Sequence, residues 1–211
     1  MTTRAQNLLQ LNSSINGAAG HSSRLADAFV AGWRAANPGA QVTVRDLAAQ
    51  PVPHLTAERF GAFLAKAEER SAEQQSVVAY SDGLIDELKR ADVIVLGLPL
   101  YNFGVPSQLK AYFDHIARAG VTFRYTENGP VGLLTGKKAY VLSTRGGIYA
   151  GTPKDTETQY VRDFLGFLGI TDVEFVYAEG LAISEASRET ALAKARGQID
   201  ALTATEWKQA A

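Results

Sequence analysis

Three stretches of this sequence combine small residues, hydroxyls, amides and aromatics in ways that connecting loops do not ordinarily need. The first runs from Asn12-Ser13-Ser14 through Ile15-Asn16-Gly17-Ala18-Ala19-Gly20 to His21-Ser22-Ser23. A strand that passes through such a loop into a helix start creates an anion site. The first-turn N–H groups are free, they carry partial positive charge, and serine hydroxyls add uncharged donors. The loop as a whole is the candidate to receive a phosphate, with the helix expected to begin at Ser22 or Ser23. Taken alone, Ser22 also reads as a simple N-cap and Ser13 as a polar strand end. The second stretch is Leu98-Pro99-Leu100-Tyr101-Asn102-Phe103-Gly104-Val105-Pro106-Ser107. Pro106 suits the first position of a helix, so the residues before it must form an irregular turn. Tyr101, Asn102 and Phe103 offer a planar heteroaromatic ring a flat apolar wall with donors and acceptors at its edge. The competing reading is that the two aromatics cap the core. The third is Thr144-Arg145-Gly146-Gly147, where adjacent glycines let backbone amides approach a ligand closely. Such amides suit a ring edge on which negative charge develops upon reduction. A plain turn with an exposed arginine is the alternative.

The elements that must position these loops follow from hydrophobic patterning. Short apolar runs at 7–12, 41–45, 92–98, 138–143 and 172–178 read as strands, and amphipathic segments fill the four connections between them. Leu25, Phe29 and Trp33 recur at helical spacing, as do Leu109, Tyr112, Phe113 and Ile116. A further helix is expected from Ser71 toward Arg90, because Ser71 and Gln74 have capping-box spacing. Alternating strands and helices with apolar strand runs describe a doubly wound parallel sheet covered on both faces. Ligands of such sheets gather beyond the carboxyl ends of the strands, near the point where strand order reverses. All three unusual stretches follow strands, so they are expected at that rim.

Composition removes other chemistries. A chain of 211 residues with 46% hydrophobic and 20% charged residues is an ordinary globular domain, large enough to bury ~70% of its unfolded surface, and it is read as one domain over 1–211. The 21 basic residues nearly balance the 22 acidic ones, so nucleic acid is not an expected partner. There is no cysteine, which excludes a disulfide framework, a thiolate nucleophile and an iron–sulfur cluster. Any redox chemistry therefore needs a bound organic cofactor. The start from Met1 to Asn7 lacks a long apolar run, so a cytoplasmic protein without a membrane anchor is expected. The dinucleotide fingerprint GxGxxG is missing, and the segment from Gly132 to Lys138 is one residue short of a P-loop and precedes a strand. His21, His54 and His115 are scattered without ligand spacing, so no metal is expected. GxSxG, the hydrolase nucleophile turn, is also missing.

Several strings together resemble a known family. Tyr101-Asn102-Phe103, the run from Thr122 to Pro130, Arg145-Gly146-Gly147-Ile148 and the run from Phe164 to Ile170 are similar, in order and over nearly the whole chain, to FMN-dependent NADH:azoreductases. The resemblance implies a flavodoxin-like five-stranded parallel sheet of order 2-1-3-4-5. It also implies a homodimer with FMN at the interface and a ring partly open to substrate. It places Ser13, Gly20, His21 and Ser22 at the phosphate, and Leu100, Tyr101, Asn102 and Phe103 along the ring. Thr144, Arg145, Gly146 and Gly147 fall at the pyrimidine edge, and Tyr125 and Phe167, with Asn102, in the substrate pocket. Three positions depart from the pattern: Gly20 where many relatives have serine, Leu100 where methionine is frequent, and Tyr149 where some carry histidine. The implied activity is a ping-pong reduction of quinones and azo compounds through flavin N5, with NADH or NADPH as donor and no obligatory acid or base side chain. The alternative on the same fold is a flavodoxin-type electron carrier, which would be strongly acidic where this chain is near neutral.

Overall fold

The computed structural model describes residues 6–204; the reading of residues 1–5 as free of an apolar leader lies outside them. Among the described residues seven strands and six α-helices occur. The strands are β1 (Asn7–Asn12), β2 (Gln41–Asp46), β3 (Val93–Pro99), β4 (Phe123–Thr126), β5 (Gly129–Gly132), β6 (Lys138–Thr144) and β7 (Asp172–Ala178). The helices are α1 (His21–Ala36), α2 (Ala57–Leu64), α3 (Ala72–Arg90), α4 (Ser107–Ile116), α5 (Thr156–Phe167) and α6 (Glu185–Thr203). Five strands form one all-parallel sheet in the order β2-β1-β3-β6-β7, the expected 2-1-3-4-5 pattern once the β4–β5 hairpin is set aside. None of the described helices is long and apolar enough to cross a membrane.

Side chains of the central strands alternate between two separate cores, as the two-residue period of a strand requires. Leu9, Leu11, Ile94, Leu96 and Val141 face α3, α4 and α5, where they meet Leu84, Leu88, Tyr112, Phe113 and Val161. Leu8, Val93, Val95, Tyr140 and Leu142 face α1 and α6, against Leu25, Phe29, Trp33 and Ile199. Phe29 packs on Tyr140 with ring centroids 4.5 Å apart. Each large apolar side chain fully buried this way contributes about 1.5–3 kcal/mol.

The helix starts are locally encoded. Ser71 caps α3 as its spacing predicts: Gln74 N–H donates to Ser71 Oγ, and Ser71 N–H donates to the Gln74 side chain at 3.0 Å. The helix expected at Ser22 or Ser23 instead begins at His21, because the Gly20 carbonyl already accepts the Arg24 N–H. Ser22 is thus inside the first turn and not its N-cap. Likewise Pro106 is the N-cap of α4 and Ser107 its first residue. Gly97 in β3 explains how α1 sits so close to the sheet, since a Cβ there would stand 3.0 Å from the Ser22 carbonyl oxygen. The long connection around Tyr125 contains the antiparallel hairpin β4–β5, whose four-residue strands are too short to show a period in sequence.

Candidate functional site

The three stretches do meet at one rim. Ser14, Asn16, Gly20 and His21 from the β1–α1 loop, Pro99, Leu100 and Tyr101 from the end of β3, and Thr144, Arg145 and Gly146 from the end of β6 line one cavity of about 180 Å³. A wider hollow of about 620 Å³ adjoins it through Leu100 and Tyr101 and includes Ile15 and Asn102. β1 and β3 are sheet neighbours although β2 lies between them in sequence, so the cavity occupies the point where strand order reverses.

In the first loop the two serines divide their work. Ser13 Oγ donates to the Gly97 carbonyl at 2.8 Å and its N–H donates to the same oxygen, so Ser13 stitches the loop to β3 and does not line the cavity. Ser14 does line it: its hydroxyl lies 3.2 Å from the Tyr101 hydroxyl and accepts the Asn16 N–H. Gly20 provides the room, because a Cβ there would stand 2.3 Å from Ser14 Oγ. Beyond it, the N–H groups of His21, Ser22 and Ser23 donate to no group among the described residues, and the buried Ser22 and Ser23 hydroxyls are also unpartnered. Buried polar groups rarely stay unpaired. A helix N-terminus with spare donors is an anion site. Burial first, then the charges of Arg24 and Arg188, hold the His21 imidazole below its ordinary range, so it is largely neutral at pH 7.

The second loop is a tight turn with an unusual backbone. Tyr101 and Gly104 exchange two N–H to carbonyl bonds of 3.0 Å. Between them Asn102 and Phe103 have φ of 51° and 61°, the left-handed region in two consecutive residues that carry side chains. Asparagine tolerates that conformation, but for phenylalanine it costs on the order of 1–3 kcal/mol. The strain is held from outside: Thr156 Oγ1 donates to the Phe103 carbonyl, and the Tyr149 ring meets the Phe103 ring at 5.5 Å. Phe103 is 53% exposed, so it does not cap the core, and the backbone amides of Asn102 and Phe103 have no partner among the described residues.

The third loop shows why glycines follow Arg145. Carbonyls of Arg145, Gly146 and Gly147 accept from the N–H groups of Leu181, Ala182 and Gly180 at 3.1, 3.0 and 2.9 Å. With every carbonyl fastened on one side, the Gly146 and Gly147 amides are left without a partner among the described residues. Arg145 itself is not exposed. Its side chain is fully buried and reaches Asp155 at 2.9 Å, Glu179 at 3.4 Å and Glu157 at 3.5 Å, with the Tyr177 ring 5.0 Å away. Burial opposes the charge on Arg145, but hydrogen bonding and attraction from Asp155, then Glu157 and Glu179, outweigh it and raise its pKa. Glu157 is the member that burial affects most. Desolvation pushes it up to about 7, against the Ser143 hydrogen bond and the Arg145 charge.

The family described as having a flavodoxin-like fold matches residues 6–202. An FMN-dependent NADH:quinone oxidoreductase of Cellvibrio japonicus is 56% identical over 193 residues, covering 92% of this chain and 96% of that protein. One of the same name from Burkholderia thailandensis is 57% identical over 195 residues, 92% of this chain and 98% of its own. The chain belongs to this family of flavodoxin-like oxidoreductases. Among solved structures, an FMN-dependent NADH-azoreductase of Bacillus anthracis in complex with FMN superposes with a TM-score of 0.86 at 27% identity, over 94% of this chain and 98% of that one.

Within this oxidoreductase fold the cavity fits FMN on its own evidence. Spare amides and hydroxyls at α1 suit a phosphate, and spare amides at Gly146 and Gly147 suit the oxygen-bearing edge of a ring. Of the sequence candidates, Gly20, His21, Leu100, Tyr101, Thr144, Arg145 and Gly146 line the inner cavity and Asn102 the adjoining hollow. Ser13 and Ser22 lie beside it, Phe103 borders another hollow with Thr156, and Gly147 lies against the Tyr149 ring. Tyr125 and Phe167 are not brought to the cavity within one chain. Tyr125 borders a separate hollow with Phe60, Phe63 and Leu64, and Phe123 joins it to Phe167, with centroids 5.4 and 4.3 Å away respectively. Sequence reading overlooked Ser14, Asp155, Glu157 and Glu179. Ser14 had a signal in its place beside Ser13. The three carboxylates had none, because only the fold brings them to Arg145.

Proposed function

We propose that this chain uses FMN to pass electrons from NADH or NADPH to quinones and azo compounds. The observation that carries the reading is the convergence on one rim of two kinds of unpartnered donor. The amides at the start of α1, with the buried Ser22 and Ser23 hydroxyls beside the cavity, match a phosphate, and the Gly146 amide in its lining, with that of Gly147 next in the chain, matches a planar ring. When bound, FMN supplies two-electron transfer between a nicotinamide and an organic acceptor. The chain binds, orients and sets charge. Leu100 and Tyr101 would lie along the ring, Ser14 and the first turn of α1 would hold the phosphate, and the spare amides at 146 and 147 would favour negative charge on the cofactor. Donor and acceptor occupy the same open space in turn, a ping-pong order, with protons supplied by solvent.

In this reading the working unit is a homodimer acting in the cytoplasm. Tyr125 is 74% exposed, Leu64 69% and Phe60 50%, an apolar surface too concentrated to be left in water. Because Tyr125 and Phe167 lie away from the cavity of their own chain, they serve as the substrate wall of a second copy. The test is purification of the protein with identification of the released cofactor and measurement of NADH oxidation with a small quinone. Turnover separates an enzyme from an electron carrier. Asn102→Ala and Gly146→Val are expected to lose FMN or turnover; a colourless protein with no affinity for added FMN overturns the proposal.

A further inference from the structure

Glu179 lies just past the end of β7, outside the cavity, yet it organises the loop that faces it. One carboxylate oxygen accepts the N–H groups of both Tyr149 and Ala150 at 2.8 Å each. The same oxygen lies 3.4 Å from Arg145 Nη1, and the Arg145 side chain is wholly buried. The residues that follow Glu179 fasten the other side of the loop, since Gly180, Leu181 and Ala182 donate to the carbonyls of Gly147, Arg145 and Gly146. A single short segment, 179–182, therefore holds the 145–150 loop from both ends. With these bonds made, the Gly146 and Gly147 amides are left over as donors among the described residues. Asp155 stands nearer to the guanidinium than Glu179 does, at 2.9 against 3.4 Å, so the Arg145 charge keeps a partner when Glu179 is neutralised.

We infer that Glu179 is a positioning residue for cofactor reduction: by accepting the Tyr149 and Ala150 amides it fixes the Gly146 and Gly147 N–H groups where they stabilise the reduced form. This rests on the FMN reading above. The role belongs to the acceptor oxygen and its reach, not to the carboxylate charge, and that distinction makes it testable.

The experiment measures the two-electron midpoint potential of bound FMN, and its dissociation constant, in the wild type and in Glu179→Gln, Glu179→Asp and Glu179→Ala. Glutamine keeps an acceptor oxygen at the same reach without charge. Aspartate keeps the charge beside Arg145 but is one methylene too short to reach both amides. Glu179→Gln is expected to hold the wild-type potential. Glu179→Asp and Glu179→Ala are expected to lose about tenfold in the preference for reduced over oxidised FMN, the effect of one well-directed hydrogen bond, which is a fall of about 30 mV. If Glu179→Ala fails to fold, the glutamine and aspartate variants decide between them. Equal potentials in the wild type and Glu179→Asp, or a fall in Glu179→Gln matching that in Glu179→Asp, overturn the inference. A wild type that binds no FMN is a different result, and it overturns the reading of the site instead.

Discussion

Gly132, the last residue of β5, lies directly on the backbone at the end of α5. A Cβ built there would stand 2.0 Å from Gly169 N and 2.2 Å from the Leu168 carbonyl carbon. The obstacle is main chain, which cannot rotate aside as a side chain would. Gly132→Ala must part the two segments by about 1.4 Å to restore an ordinary 3.4 Å contact from 2.0 Å. Overpacking of this kind costs about 1–3 kcal/mol, and stretching the 2.8 Å bond from Leu134 N–H to the Leu168 carbonyl adds about 1 kcal/mol. For a domain of this length a total near ~3 kcal/mol lowers Tm by roughly 6–12 °C. The same displacement pulls the β4–β5 hairpin, with Phe123 and Tyr125, away from Phe167 at the end of α5. None of these residues belongs to the FMN cavity. The variant should therefore keep its FMN, lose kcat/KM toward bulky quinones and azo dyes, and melt early. Thermal denaturation, FMN absorbance and steady-state kinetics on one preparation check all three. An unchanged Tm refutes the packing argument, and loss of FMN in a folded variant refutes the separation of cofactor and substrate walls.

Glu157, raised to about 7 by burial, makes stability depend on pH in the opposite sense to a salt-bridged carboxylate. Between an unfolded value near 4.5 and the folded value near 7 the folded state keeps a proton that the unfolded state releases. Stability should fall as pH rises through that window, by on the order of 3 kcal/mol relative to Glu157→Gln. Denaturant titrations of the two proteins at several pH values test this, and a pH-independent difference contradicts it. Gly20→Ala should force the Ser14 hydroxyl off Tyr101, because the new Cβ would stand 2.3 Å from Ser14 Oγ. Loss of one such hydrogen bond weakens FMN binding about 2–10-fold without unfolding the protein. Fluorescence titration with FMN reads it, and an unchanged dissociation constant removes Ser14 from the phosphate site.

The sheet was legible because its strands are short apolar runs flanked by amphipathic segments, and β1 and β3 alternate cleanly between two cores. The rim was legible for a related reason, since in such a sheet the loops that follow strands share one end. What escaped depends on orientation rather than residue type. Ser13 and Ser14 are adjacent and chemically identical, and only the pairing of β1 with β3 turns the first to Gly97 and the second to the cavity. Arg145 reads as a surface arginine until Asp155, Glu157 and Glu179 fold back onto it from 10, 12 and 34 residues later. Tyr125 and Phe167 were expected in the substrate pocket by resemblance alone; that Phe123 lies between them and that both stand away from the cavity in one chain are properties of the assembled fold.

The fasteners of the 145–150 loop leave a short stretch beyond them idle. Among the described residues, 151–154 bond within their own turn and to the first residue of α5: Thr152 donates to the Tyr149 carbonyl, Lys154 and Asp155 donate to Thr152, the Lys154 carbonyl accepts the Thr156 N–H, and Gly151 faces open space. Length and composition there are decoupled from the electron-transfer chemistry. This segment is where an engineer can graft a recognition arm for a chosen dye while the redox centre stays as it is.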